Sequence, residues 1–198
     1  MTPSPAVVRA LNAALVLSAD HELNPATFVA RITASSEGDL HSCIASAICA
    51  NSGARIARSC DWLDQFLRGP AGATNLFPRP DRSTGDSDFA SLGFNHPLYP
   101  RGDPRSQCLL QLVRELEPRS TRVRNILTGL EAAQTEHKQF PRLETALAVL
   151  AMALAMPGGA AGGLFTLGRI AGWVAHIAEQ RLAGFLIRPR ARFVSHAV

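Results

Sequence analysis

A chain of 198 residues with 46% hydrophobic side chains can bury the core of one domain, or of one domain with a small appendage, and is too apolar to be disordered. Its formal net charge of +4 raises nucleic acid as a partner, and the distribution argues against it. Apart from Arg188, Arg190 and Arg192 near the end and Arg119, Arg122 and Arg124 at one helix start, the cations are interspersed with acids.

The first predicted helix carries Val7, Val8, Leu11, Ala14 and Leu15 at helical spacing and ends before Asp20. Asn24 followed by Pro25 reads as a cap and first turn, opening a helix that closes near Ser36. Asp39 caps a third helix through Ile48, whose Ala, Ser, Cys and Ile side chains suit close packing against another helix or a subunit. No element is assigned between Ile48 and Gly69, and the stretch 69–92, dense in Pro, Gly, Asp, Ser and Thr, is predicted as a long loop. Asp103 and Pro104 open a helix with Leu109, Leu110, Leu112, Val113 and Leu116 on one side, and residues 119–137 form the next. The apolar run Leu143–Met156 is too short to cross a bilayer and is predicted as a core helix. Pro157, Gly158 and Gly159 separate it from a last helix through Ala183, and the tail from Arg188 is predicted as extended. No strand alternation or repeat is present, so the predicted class is all-α.

Cys43, Cys49, Cys60 and Cys108 show neither C-x-x-C nor Cys–His spacing, so no metal site is expected and they read as buried thiols of a reducing compartment. Pro3, Pro5 and the early Asp20, His21 and Glu22 do not make a signal peptide, and a cytoplasmic location without a membrane partner is expected.

Four stretches carry a family likeness: ADHELNPATFVAR from Ala19, GFNHPLYPRGDPR from Gly93, GRIAGWVAHIAEQ from Gly168 and IRPRARFV from Ile187. Together, in this order and separation, they resemble the carboxyl-terminal part of citrate synthase. The resemblance implies a helical bundle with large-domain helices at 1–58, a small domain at 59–142 that includes the loop 69–92, and large-domain helices with the tail at 143–198. It also implies a small dicarboxylate or tricarboxylate ligand, a coenzyme A thioester as cosubstrate, no covalent cofactor, and assembly as a homodimer or with another citrate-synthase-like chain. By the same resemblance His21, Arg105 and Arg169 hold the ligand's carboxylates, Arg188 reaches the partner's site, and His96 polarises the keto oxygen.

Two condensation positions depart from the family pattern. Ile56 stands where the resemblance places the enolate-stabilising histidine, and an isoleucine cannot donate a hydrogen bond. Ala57 and Arg58 replace a glycine pair. Glu144 stands at the family's base aspartate, one methylene longer, and also fits a solvated acid in the first turn of its helix. Asn95 replaces a small residue where the loop approaches coenzyme A.

Three functions are compatible with these residues: a family member that binds a carboxylate with weak or lost catalysis, a non-catalytic partner subunit of a full-length relative, and an active acyltransferase with Glu144 as base. The last needs a substitute donor, such as His41 or a loop residue.

Overall fold

The computed structural model describes residues 2–53, 57–70 and 93–191, with backbone only at 57–59. Among them are eight α-helices: α1 Pro5–Ala19, α2 Pro25–Ser35, α3 Leu40–Asn51, α4 Ala57–Arg68, α5 Pro104–Glu115, α6 Thr121–His137, α7 Leu143–Ala153 and α8 Ala160–Ala183. No strand occurs among the described residues, and a single antiparallel bridge joins Phe94 to Pro141. The all-α class therefore holds.

Local chemistry explains most helix starts. Side-chain oxygens of Ser4, Asn24, Asp39 and Ser120 accept the orphan N–H groups of Val7, Thr27, Ser42 and Val123, and proline occupies the first turns of α1, α2 and α5. The core helix stops at Ala153 rather than Met156, because Ala155 takes a left-handed conformation with φ 52°.

The helix α4 is an addition to the sequence expectation. Its Cys60, Leu63 and Leu67 form a buried stripe together with Asp64, which is fully buried. The Asp64 carboxylate accepts from Arg68 Nε at 2.8 Å and from the Gly159 N–H at 3.0 Å, so it links α4 to the start of α8. Arg122 donates to the carbonyls of Leu67, Arg68 and Gly69 and closes the other end of α4. Arg124 is likewise spent on the carbonyls of Pro118 and Arg119, so two of the three clustered arginines serve the fold.

Two hydrophobic clusters meet along α8. The larger one surrounds α7, where Leu143 and every residue from Thr145 to Met152 is buried, and draws on α1, α4, α5 and α6. A helix apolar all round has to be central. The smaller cluster packs Ala26, Ala30, Ala34, Cys43 and Ala47 of α2 and α3 against Trp173 and Ile177 of α8, so the small side chains of α3 do serve a close helix pair.

No helix among the described residues is long and apolar enough to cross a membrane. Only Cys43 and Cys60 are buried, whereas Cys49 and Cys108 are exposed, which corrects the expectation of four buried thiols. Ile56, residues 71–92 of the expected loop and the tail from 192 lie outside the described residues.

Candidate functional site

The site is built at helix ends, where unsatisfied backbone groups and side chains face outward. His21 and Glu22 sit in the turn between α1 and α2, His96 in the loop before α5, Arg105 in the first turn of α5, and Glu144 in the first turn of α7. Residues far apart in sequence thus converge: Arg105 Nη1 lies 3.3 Å from His21 Nδ1, His21 Nε2 lies 3.9 Å from Glu144 Oε1, and the two imidazole centroids are 6.2 Å apart.

Asp103 organises the cluster. It is 1% exposed and accepts from Arg105 Nε at 3.0 Å and Nη2 at 2.9 Å, a bidentate grip that fixes the guanidinium plane. The same carboxylate accepts the Leu143 N–H at 3.3 Å and so ties Arg105 to the start of α7. Burial works against the charge on both partners, and their mutual hydrogen bonds and attraction outweigh it, lowering the Asp103 pKa and raising that of Arg105. Tyr99 supports the arrangement, its ring centroid 5.4 Å from the Arg105 guanidinium carbon and 5.1 Å from that of His96.

The partners assign the tautomers. An arginine can only donate, so His21 Nδ1 accepts from Arg105, and His96 Nδ1 accepts the Leu98 N–H at 3.2 Å. In the neutral rings the proton therefore sits on Nε2, and each histidine presents a donor: His21 toward Glu144, and His96 toward Glu22 Oε1 at 3.5 Å. Burial, chiefly, holds both histidines below the usual imidazole range, and Arg105 adds to it. Glu144 pulls the other way on His21, and Asp103 and Glu144 do so on His96. Phe165 caps His21 edge-on at 5.1 Å.

Glu144 is 12% exposed, so it is not the solvated surface acid that its helix position alone allowed. Its Oε2 is buried without a hydrogen-bond partner, while its Oε1 faces the His21 imidazole.

Arg169 stands behind this group. It is fully buried, donates from Nη1 to the Ala19 carbonyl and from Nη2 to Thr27 Oγ1 at 2.7 Å, and lies 5.8 Å from the centre of the Trp173 ring. Its donors hold the turn that carries His21. Arg188 is exposed in the extended segment after α8. Its side chain is not part of the cluster formed by His21, His96, Arg105 and Glu144. His41 has a side chain 98% exposed at the start of α3 and faces Asp39, so it supplies no donor here. Among the described residues no group of three or more His, Cys, Asp or Glu side chains could hold a metal ion.

The sequence reading missed Asp103 as the anchor of Arg105, Glu22 as the partner of His96, and Phe165 against His21. The Asp-Pro-Arg spacing could have revealed the first, because a side chain two residues before an arginine at a helix start can reach both its backbone and its guanidinium.

The histidines give the fold a pH signature. His21, His96 and His176, the last held low by burial and by Arg31, have folded-state pKa values below the unfolded one near 6.5. The stability they contribute is complete above that value and is lost as pH falls through the folded pKa values, because the unfolded chain binds protons first. Urea midpoints are expected to drop between pH 7.5 and pH 5.5, with a slope of at most about 1.4 kcal/mol per pH unit for each histidine. A flat or rising midpoint would contradict this burial.

Comparison with known proteins follows the same lines. The family model described as citrate synthase, C-terminal domain, matches residues 1–190. Citrate synthase 2 of Bacillus subtilis (strain 168) is 32% identical over 200 residues, covering 96% of this chain and 52% of the relative. The crystal structure of citrate synthase from Thermotoga maritima MSB8 superposes with a TM-score of 0.76 at 25% identity, covering 98% of this chain and 55% of that one. A citrate synthase from Thermoplasma acidophilum, solved as a ternary complex with carboxymethyl coenzyme A and oxaloacetate, shares the fold with a TM-score of 0.75 at 24% identity, covering 100% of this chain and 54% of that one. The chain spans about half the length of the curated relatives it matches.

Proposed function

This chain belongs to the citrate synthase family, and from that premise we propose that it binds oxaloacetate or a related dicarboxylate or tricarboxylate, with condensation of an acyl-CoA weak or lost. The observation that carries the binding half is the convergence of His21, His96 and Arg105 beside the open carboxylate of Glu144. Asp103, Asp20 and His21 engage four of the five Arg105 N–H groups, which leaves one Nη2–H for a carboxylate oxygen, and two Nε2–H donors suit a second carboxylate oxygen and a keto oxygen. The Thermoplasma relative crystallised with oxaloacetate is consistent with that ligand class. Arg188 belongs to the same proposal as a residue lent to a second subunit, in a homodimer or with a citrate-synthase-like chain, whereas Arg169, expected to hold a ligand carboxylate, is fully buried with its donors on Ala19 and Thr27 and enters the proposal only through the turn it holds. The division into large-domain helices at 1–58 and 143–198 and a small domain at 59–142 belongs to it as well.

In a productive reaction, Glu144 would take a proton from the thioester's methyl carbon. The resulting carbanion would form the new carbon–carbon bond with the keto carbon, His96 Nε2–H would stabilise the alkoxide by hydrogen bonding, and the proton taken up by Glu144 would be returned through water to neutralise it. Water would then cleave the thioester and release the free thiol. Between these steps negative charge resides on the thioester oxygen, and Ile56, which stands at the family's donor position, has no hydrogen to offer it. Loss of one such donor costs about 2.7 to 4 kcal/mol of transition-state stabilisation.

Thiol release from acetyl-CoA plus oxaloacetate is therefore expected to run about 100- to 1000-fold slower than in a relative that keeps this histidine. A rate within a few-fold of such a relative would reject the claim of weak catalysis and favour an active acyltransferase with Glu144 as base.

A further inference from the structure

The loop that carries His96 is fastened to the segment entering α7 by one residue. Asn95 sits in the left-handed region with φ 55°, a conformation that asparagine tolerates better than other residues bearing a side chain. Its backbone N–H donates to the Phe140 carbonyl at 2.7 Å, and its own carbonyl accepts from Arg142 Nη2 at 3.1 Å. Its side chain completes a ring with the same segment: Oδ1 accepts the Phe140 N–H at 2.9 Å, and Nδ2 donates to Gln139 Oε1 at 2.6 Å. The side-chain amide, which the sequence places where the loop approaches coenzyme A, is thus engaged by residues 139 and 140. Asn95 is exposed, so its rotamer is fixed by these bonds rather than by packing. His96 follows directly, and Glu144 lies two residues beyond Arg142.

We infer that Asn95 is a positioning residue, clamping the His96 loop to the start of α7 so that the His96 donor and the Glu144 carboxylate keep a fixed separation. A glycine here would accept the left-handed backbone and keep the two main-chain bonds, but would leave the Phe140 N–H and the Gln139 amide without the partners they now have. The neighbouring bonds of Gly93, whose carbonyl accepts from the Arg142 N–H and from Thr145 Oγ1 at 2.7 Å each, would still hold the loop's base. The Asn95 side chain therefore governs the His96 end of the loop more than the fold. The charged groups facing His96 from the packed elements are Arg105, Arg142, Asp103, Glu144 and Glu22, so a small movement of the ring changes its surroundings.

This inference rests on the carboxylate-site reading for its consequence, but its test is independent of it. Nitrogen-15 NMR of the histidine rings would follow the His96 tautomer and titration in wild type, Asn95→Gly and Asn95→Asp, alongside thermal midpoints and calorimetric titration with oxaloacetate. Asn95→Gly is expected to keep a native-like melting transition, to move the His96 titration toward the free-imidazole range, and to weaken oxaloacetate binding about tenfold, within the penalty that small misplacements impose. Asn95→Asp keeps an acceptor for the Phe140 N–H, and the Gln139 amide can turn to donate to it, so its His96 ring is expected to keep the wild-type Nε2–H tautomer, while the added carboxylate raises its titration by charge alone. His96 signals in Asn95→Gly that superimpose on wild type, or loss of the Nε2–H tautomer in Asn95→Asp, would overturn the inference. Absence of oxaloacetate binding by the wild type would sink the carboxylate reading alone, and the ring signals would still decide the role of Asn95.

Discussion

Gly172→Ala is expected to be the most damaging small substitution in the chain, lowering stability by about 3 kcal/mol or more. A Cβ built on Gly172 would lie 1.8 Å from the Ala19 carbonyl oxygen and 2.7 Å from Arg169 Nη1. Neither neighbour can step aside: the carbonyl belongs to the last residue of α1, and the guanidinium is the group that carbonyl accepts from. Gly168, one turn earlier on α8, opens the same face, since a Cβ there would lie 2.6 Å from the Leu15 carbonyl oxygen. Two glycines at helical spacing thus let α1 lie directly on α8, which seats the turn carrying His21. Denaturant midpoints would measure the effect, with Gly163→Ala as control. Nothing lies within 4 Å of a Cβ at Gly163, so the control is expected to gain up to about 1 kcal/mol from helix propensity. Equal stability of Gly172→Ala and wild type would show that α1 and α8 are farther apart than described.

Asp103→Ala is expected to cost a similar amount, about 3 kcal/mol, and to abolish carboxylate binding as well. The substitution strands a mostly buried guanidinium and removes the acceptor for the Arg105 and Leu143 backbone N–H groups at the starts of α5 and α7. Asp103→Asn keeps an acceptor oxygen but loses the charge, and should fall between the two. The pH dependence separates the charge contribution from packing. Because the Asp103 pKa is lowered in the fold, its contribution is present above the unfolded carboxyl pKa and lost as pH falls through the folded one. Wild type is therefore expected to lose stability on acidification through the carboxylate range more steeply than Asp103→Ala. Parallel acid profiles for the two proteins would contradict the ion pair.

Much of the fold was legible because caps and prolines act locally: Asn24–Pro25 and Asp39 mark helix starts with side chains that reach three residues along the chain, and Asp103–Pro104 marks one by a side chain that reaches the Arg105 N–H two residues on. The helix α4 escaped because its buried stripe includes Asp64, which reads as polar until Gly159, 95 residues later, is seen to satisfy it. The site divided the same way. His21, His96, Arg105 and Glu144 were marked by motif resemblance, not by periodicity, and the fold brings them together. What the motifs could not convey was the wiring between them: Asp103 bridging α5 and α7, Arg169 turned inward onto Ala19 and Thr27, and Phe165 against His21. Each depends on a contact made only after distant helices have packed.

Titration calorimetry with oxaloacetate on wild type and on Arg105→Leu, at neutral pH, tests the central claim most directly. Saturable sub-millimolar binding by wild type, lost in an Arg105→Leu protein that still melts cooperatively, is the expected result. No saturable heat with oxaloacetate or citrate, or equal affinity in both proteins, would contradict a carboxylate site built around this guanidinium.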